Sequence, residues 1–390
     1  MLVQLLIFII ALIAFYRYKE VGTEAHIQYQ RKKYITLVMI LFAIQSGLRN
    51  VAVGSDTYQY YLRFEETRRS TLFDLWQNVI DFFQLGIGKD PGYDILVKLF
   101  SVIFPNYRLF LIAVAIFFFW SFGRLLYKYS ISNTVVLLMV ALYQVLFYGF
   151  FSITGIRQTI ATGFLLLAVP YVFDKKFIKF IILVLIAATQ HKSAVLFGLF
   201  YPLSYVKNPK IVLLISIVGF VPMLLGGKYF ASYFVYNTFF DQYAGYLEEN
   251  SAAVGYTVTA FMLVQALCIL FSIKKITIIS SNNILFINAI GLSVLLTPLI
   301  LVDPSNMRIV QYYSIFTLLI FPMFCQVWGS NKGVSSIRSL NPFSTSVYLF
   351  LSVYSLVRNV DYAFFWQDMT LGANYDAGSM VVNDFILNIF

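Results

Sequence analysis

The sequence predicts an all-α, polytopic membrane protein of about twelve transmembrane helices, with amphipathic interfacial helices on its outer face. Three observations carry this. Of the 390 residues, 60% are hydrophobic and 12% charged, against roughly 25% charged in an ordinary soluble domain. The apolar residues gather in runs that approach or reach the roughly 17–25 residues needed to cross a bilayer. The basic residues gather in alternate links between those runs, as expected of charges that set topology.

Taken in order, the runs fall at about 2–16, 34–50, 109–128, 133–151, 154–173, 177–190, 193–206, 211–226, 256–273, 283–302, 309–328 and 343–357. Each is read as helix because lipid offers backbone N–H and C=O groups no partner outside the segment. The links around 17–33, 124–130, 174–179, 207–210, 274–275 and 332–338 hold sixteen lysines and arginines against three carboxylates, Glu20, Glu24 and Asp174. These links are therefore expected in the cytoplasm and both termini outside. No basic residue precedes the first run, which argues for an anchor inserted with its N-terminus out and against a cleaved signal peptide. Residues 1–390 read as a single transmembrane domain, without a soluble domain, long linker, low-complexity tract or convincing internal repeat.

Composition also narrows function. The formal charge of +10 sits in a chain of this kind to fix topology and meet lipid head groups, so membrane lipids are expected partners and nucleic acid is not. Cys268 and Cys325 both fall inside apolar runs and read as small core residues rather than metal ligands or a disulfide. No His, Cys or carboxylate cluster has metal-site spacing, so neither a metal nor a cofactor is expected.

Mass on the outer side is concentrated at residues 51–108, 227–255 and 358–390. In the first, Leu72, Leu75, Trp76, Val79 and Phe83 recur at near-helical spacing with Asp74 and Asp81 between them, as in one or two amphipathic helices lying on the membrane surface. Tyr93 to Phe104 either continues this or dips into the bilayer, with Asp94 and Lys98 opposing a full span. Tyr58, Tyr60, Tyr243 and Tyr246 are interfacial aromatics or surfaces on which sugar rings stack.

The candidate chemistry is cationic. Arg157 lies in an otherwise apolar run, a position that costs several kcal/mol unless it faces a polar cavity and an anionic partner. Its planar fork suits a phosphate; a salt bridge to Asp90 or Asp94 is the structural alternative. Gln158 follows it directly. Arg49 closes the second run, and Arg308 follows the tight turn Asp303-Pro304-Ser305-Asn306, where it either snorkels to head groups or adds to a positive helix end. Asp56, after Gly54, is either an N-cap or a carboxylate that takes a proton from a sugar hydroxyl. His191 and Lys192 join two runs of about 13 residues, each about 20 Å long, too short for a core of about 30 Å. Their apex is therefore expected below the outer surface. There His191 is a satisfied buried imidazole or a general base, and Lys192 needs a counter-charge.

Gly47-Leu48-Arg49 with Val53-Gly54-Ser55-Asp56-Thr57-Tyr58, Asp90-Pro91-Gly92-Tyr93 with Leu96, Gly155-Ile156-Arg157-Gln158 with Ala161, His191-Lys192-Ser193-Ala194 and Met307-Arg308 together resemble the EpsG branch of the Wzy-like polysaccharide polymerases. The blocks occur in that family's order from about 40 to 316, with Asp90 where glutamate is usual and Ser55 where threonine is commoner. The resemblance implies a GT-C-like, inverting, metal-independent glycosyltransferase at the outer face of the bacterial inner membrane, serving O-antigen or exopolysaccharide synthesis. Its donor and acceptor are implied to be undecaprenyl diphosphate-linked oligosaccharides, with a chain-length regulator as a further partner. Arg49, Arg157, Arg308 and Lys192 would then bind diphosphate, His191 or Asp56 would act as the base, and Gln158, Asp90 and Tyr58 would support them.

Two other classes share some of these features. A lipid-linked oligosaccharide flippase or other transporter is expected to show related halves, which the sequence lacks. A membrane acyltransferase is expected to place its histidine near the cytoplasm, whereas the charge rule puts His191 near the outer face.

Overall fold

The computed structural model describes residues 1–54, 56–85, 90–236, 253–328, 338–358, 362–367 and 369. Among them the chain is helical, and the isolated antiparallel bridge between Arg49 and Phe364 is the extended pairing it contains. The helices are α1 Leu2–Arg17, α2 Glu24–Gly47, α3 Thr57–Arg69, α4 Leu72–Leu85, α5 Pro91–Ile103, α6 Tyr107–Tyr129, α7 Asn133–Leu146, α8 Ile156–Phe173, α9 Phe177–Gln190, α10 Phe200–Leu203, α11 Pro209–Tyr236, α12 Ala253–Ile279, α13 Asn283–Leu296, α14 Met307–Ser314, α15 Thr317–Trp328 and α16 Pro342–Val357.

Among the described residues, five helices are long and apolar enough to cross a membrane: α6, α8, α11, α12, and α13 with its continuation to Leu301. The number is seven if two bent pairs are each a broken span. Four of the expected runs, at Leu2–Arg17, Phe177–Gln190, Lys192–Leu203 and Pro342–Val357, are apolar but shorter. Helix α2 begins ten residues before its apolar run because Thr23 caps it, accepting from the His26 amide at 3.4 Å, and Arg31, Lys32 and Lys33 follow.

Several expected helices are broken, each for a local reason. Run 133–151 ends as α7 at Leu146 and continues as a wide π turn, Tyr148–Thr154, bent by 70°. Run 283–302 tightens to a 3₁₀ turn over Thr297–Leu301, where Pro298 supplies no N–H and crowds the carbonyl of Val294. Run 309–328 bends by 61° at Ile315–Phe316, where Leu318 and Leu319 donate to Ile315 and Phe316 in i→i+3 fashion. Run 193–206 is mostly a 3₁₀ turn over Lys192–Leu199, followed by the short α10.

The chain groups into two compact units. The first comprises Met1–Val169, Ile182–Lys192 and Thr345–Phe390; the second comprises Pro170–Ile181 and Ser193–Ser344. In the first, α2 lies along α6, and buried tyrosines tie helices together: Tyr34 donates to Ala11 O at 3.1 Å and Tyr348 to Phe8 O at 3.0 Å. At the basic end, Glu20 accepts from Arg31 Nε at 2.6 Å and from the Asn133 amide at 2.9 Å, holding the starts of α2 and α7 together. Residues 51–108 form α3, α4 and α5, one helix more than expected, over an aromatic cluster of Tyr58, Tyr61, Phe64, Tyr93, Tyr107 and Phe110. In the second unit, Phe197, Phe200, Phe316 and Phe286 stack in sequence with ring centroids 4.7–5.0 Å apart. There Asn288 Nδ2 donates to Leu203 O at 3.2 Å and Val206 O at 2.8 Å. Cys268 and Cys325 are both free thiols. Much of the segment 227–255, the tail beyond 369, and Ser55, Tyr243 and Tyr246 lie outside the described residues.

Candidate functional site

A polar cavity of about 1070 Å³ in the first unit is lined by α3, α4 and α5 together with Arg157 of α8. Helix α3 contributes Gln59, Tyr60, Arg63 and Glu66, α4 contributes Asp74, Asn78, Asp81 and Phe82, α5 contributes Pro91 and Asp94, and Asp56 and Arg157 complete it. Its size matches the upper end of ligand pockets, about 300–1,000 Å³, and its lining is rich in carboxylate, amide and guanidinium groups.

Arg157 reaches this cavity because the π turn before it redirects the chain. Gly155 leaves the turn, and α8 starts one residue later, so Arg157 sits in its first turn. Its Nη1 donates to Asp90 Oδ2 at 2.6 Å and its Nε to Tyr60 Oη at 3.2 Å. The sequence left open a phosphate ligand or a salt bridge to Asp90 or Asp94; the salt bridge to Asp90 is formed, and Arg157 also lines the cavity. Asp90 starts α5 in a left-handed conformation, φ 52°, and its second oxygen accepts from the Lys192 amide at 2.9 Å. One buried carboxylate thus joins Arg157 to the end of α9. A hydrogen bond to a charged group contributes about 1.5–3 kcal/mol, which offsets part of the cost of placing Asp90 at 3% exposure.

A second pair, which sequence reasoning missed, stands beside the first. Arg63 of α3 grips Asp94 with both arms, Nε to Oδ1 and Nη2 to Oδ2 at 2.7 Å each. Burial works against its charge, but the hydrogen bonds and charge of Asp94 outweigh that and raise its pKa. The available signal was spacing: Asp90 and Asp94 are four apart at the start of α5, hence on one face, and two carboxylates there call for two cations.

Asp56 occupies the cap position of α3, but its side chain makes no capping bond and lines the cavity. Tyr58 points away, packed at 6.0 Å against Tyr61 in the aromatic cluster, and Tyr60 is the tyrosine that reaches Arg157. Gln158 is buried at 1% exposure. His191 and Lys192 are buried, at 4% and 8%. The His191 amide donates to Ala187 O at 3.0 Å, finishing α9, and Lys192 Nζ lies 5.8 Å from the Phe82 ring. Neither lines the cavity, although Phe82 does.

Arg49 lies in a separate buried pocket at 4% exposure. Its Nη1 donates to Ser46 O at 2.5 Å, its Nε has no partner, and among the described residues no carboxylate pairs with it. Tyr107, Tyr143, Tyr148 and Tyr362 surround it within electrostatic reach. The π turn braces this pocket: Ser46 Oγ donates to Ser152 O at 3.0 Å and Thr57 Oγ1 to Ile153 O at 3.0 Å. From the other side the segment 362–367 straps the loop, with Phe365 N donating to Leu48 O at 3.0 Å, Asn50 N to Ala363 O at 2.9 Å and Tyr362 OH to Gln45 O at 2.8 Å.

Arg308 belongs to the second unit, in the first turn of α14. Asp303 caps the preceding 3₁₀ turn, accepting from the Ser305 amide at 2.8 Å. Among the described residues, no three His, Cys, Asp or Glu side chains come together as a metal site.

No curated protein and no solved structure matches the chain. A family model, that of the EpsG family, matches residues 32–369. That span takes in Arg49, Asp56, Asp90, Arg157, His191 and Arg308, and the chain belongs to the EpsG family.

Proposed function

We infer from membership of the EpsG family that the chain is a polysaccharide polymerase-like membrane protein. We propose that it is a repeat-unit polymerase, an inverting glycosyltransferase that moves a glycan from undecaprenyl diphosphate onto a second lipid-linked repeat unit at the outer face of the inner membrane. The observation that carries this is Arg157, an arginine at the start of an apolar helix that lines a large cavity rich in carboxylates and amides.

In this reading the acceptor hydroxyl gives its proton to a base while its oxygen attacks the anomeric carbon. The bond from that carbon to the diphosphate oxygen breaks, and the electron pair leaves with the diphosphate. Negative charge grows on the leaving group, and guanidinium groups fixed in advance stabilise it without reorganising. Arg157 suits that task because Asp90 and Tyr60 hold its Nη1 and Nε, leaving Nη2 for a phosphate oxygen. Arg49 supports the same reading as a buried cation whose Nε is unbonded and which has no carboxylate partner among the described residues. Lys192 is proposed to meet the diphosphate as well. Between the two candidate bases, Asp56 is favoured because it lines the cavity with Arg157, whereas His191 does not.

The test is reconstitution of the purified protein with undecaprenyl diphosphate-linked repeat units alone. Longer lipid-linked glycans and stoichiometric release of undecaprenyl diphosphate are expected. Movement of the lipid-linked unit across the bilayer without chain growth would establish the flippase class instead.

A further inference from the structure

Away from the cavity, a groove of about 340 Å³ runs between α2 and α6. Ile35, Met39, Ile40, Ala43, Ile116 and Phe119 make its apolar walls. The floor is open because residue 123 is glycine: a Cβ there would lie 2.9 Å from Met39 Cγ. Along α2 the lining extends from Lys32 to Ala43, and along α6 from Tyr127 to Ile116. At 1.5 Å per residue each stretch is about 16 Å, the depth of one leaflet of a hydrocarbon core about 30 Å thick.

The two ends differ. The groove ends in Lys32, Arg124 and Thr36 on one side, and no carboxylate lines it. Arg31, next in sequence, is paired with Glu20, but among the described residues neither Lys32 nor Arg124 has an ion pair. Aromatic rings steady both cations: Arg124 lies 5.2 Å from the Trp120 ring and Lys32 lies 6.0 Å from the Tyr127 ring. Two cations and a hydroxyl above an apolar slot one leaflet deep match a diacyl lipid whose head group carries negative charge.

We propose that this groove is a binding site for an anionic diacyl phospholipid, with an acyl chain along Met39 and Gly123 and the phosphate between Lys32 and Arg124. The site is independent of the polymerase reading. A juxtamembrane cation contributes about 1 kcal/mol of attraction to anionic lipid, so each of the two is expected to raise occupancy about fivefold.

The groove contains Trp120, which provides the readout. The full-length protein is reconstituted in phosphatidylcholine vesicles containing equal mole fractions of either brominated phosphatidylglycerol or brominated phosphatidylcholine, and the Trp120 signal is isolated by subtracting the Trp120→Phe variant. Phosphatidylglycerol is expected to quench Trp120 severalfold more at low mole fraction. Lys32→Gln with Arg124→Gln should abolish that excess while leaving quenching by phosphatidylcholine unchanged, which shows that the groove is still formed. Gly123→Leu should reduce quenching by both lipids. Equal quenching by the two lipids in the wild type overturns the proposal. So does displacement of brominated phosphatidylglycerol by a small mole fraction of undecaprenyl phosphate, which would make the site one for a polyprenyl chain.

Discussion

Arg157 and Asp90 form a buried ion pair, Nη1 to Oδ2 at 2.6 Å, and Asp90 uses its other oxygen to hold the Lys192 amide. Three chain segments distant in sequence meet at one carboxylate. Removing either partner leaves the other charge buried and unmatched, typically at a cost of about 3–5 kcal/mol. Asp90→Ala and Arg157→Ala should therefore each lower the thermal unfolding midpoint in detergent. The double variant should be destabilised by less than the sum, with a coupling of about 0.5–3 kcal/mol. Strict additivity would mean that the pair is not formed in the folded protein.

The pairing shows what the sequence makes legible. Arg157 stands out because its neighbours are apolar, and Asp90 and Asp94 flank a Pro-Gly helix start, so a carboxylate partner is legible in the sequence. Arg63 was not, because a charged residue in a stretch rich in Arg and Glu reads as the solvated face of a surface helix until α5 is laid against it. Helix existence followed from apolar runs, and α1, α6, α8, α9 and α16 end within three residues of expectation. The π turn at Tyr148–Thr154 has no local signature, since its cause is packing against Ser46 and Thr57 a hundred residues earlier. The strap from 362–367 was hidden for the same reason: its partners, Leu48 and Asn50, are over 300 residues away in the chain.

Retaining charge at Arg157 should not retain function. A lysine offers one point donor where the guanidinium bonds Asp90 and Tyr60 at once and leaves a further amino group for phosphate. Arg157→Lys is expected to insert and express normally and to lose most polymerisation. A wild-type rate in a reconstituted assay would assign Arg157 a structural role alone.

Backbone proximity makes a separate test of the α5–α9 junction. A Cβ on Gly92 would fall 2.4 Å from Thr189 Oγ1 and 2.7 Å from its carbonyl oxygen. Gly92→Ala should therefore destabilise by about 1–3 kcal/mol, the range for overpacking. Adding Thr189→Ala should recover only part of this, because the carbonyl stays. Full recovery would show that the backbones are farther apart. Gly54→Ala faces both a positive φ of 88° and Ile153 Cγ2 at 2.2 Å, and is expected to be the more damaging of the two.

Topology is open to direct measurement. Reporters fused after Lys179 and Lys275 should read cytoplasmic, and those at Glu248 and Asp376 outside, since sixteen of the basic residues fall in links on the first side. The opposite reading at any two positions would invert the chain and put the cavity of Arg157 on the cytoplasmic side.

The identity of the base rests on two substitutions. Asp56 lines the cavity without capping α3, while His191 is buried at the end of α9 and does not line it. Asp56→Asn keeps the side-chain shape while replacing one acceptor oxygen with an amide donor and removing the charge and the proton-accepting power. It is expected to lower turnover by about 10²–10⁴, the usual contribution of a general base, with binding of the lipid-linked substrate preserved. His191→Ala should cost less than about tenfold in turnover if the imidazole only packs and orients. A single-turnover measurement on each variant, alongside substrate binding, separates the chemical step from affinity. Should His191→Ala abolish the chemical step while Asp56→Asn leaves it intact, the proton goes to the imidazole, and the end of α9 must then open toward the cavity when substrate binds.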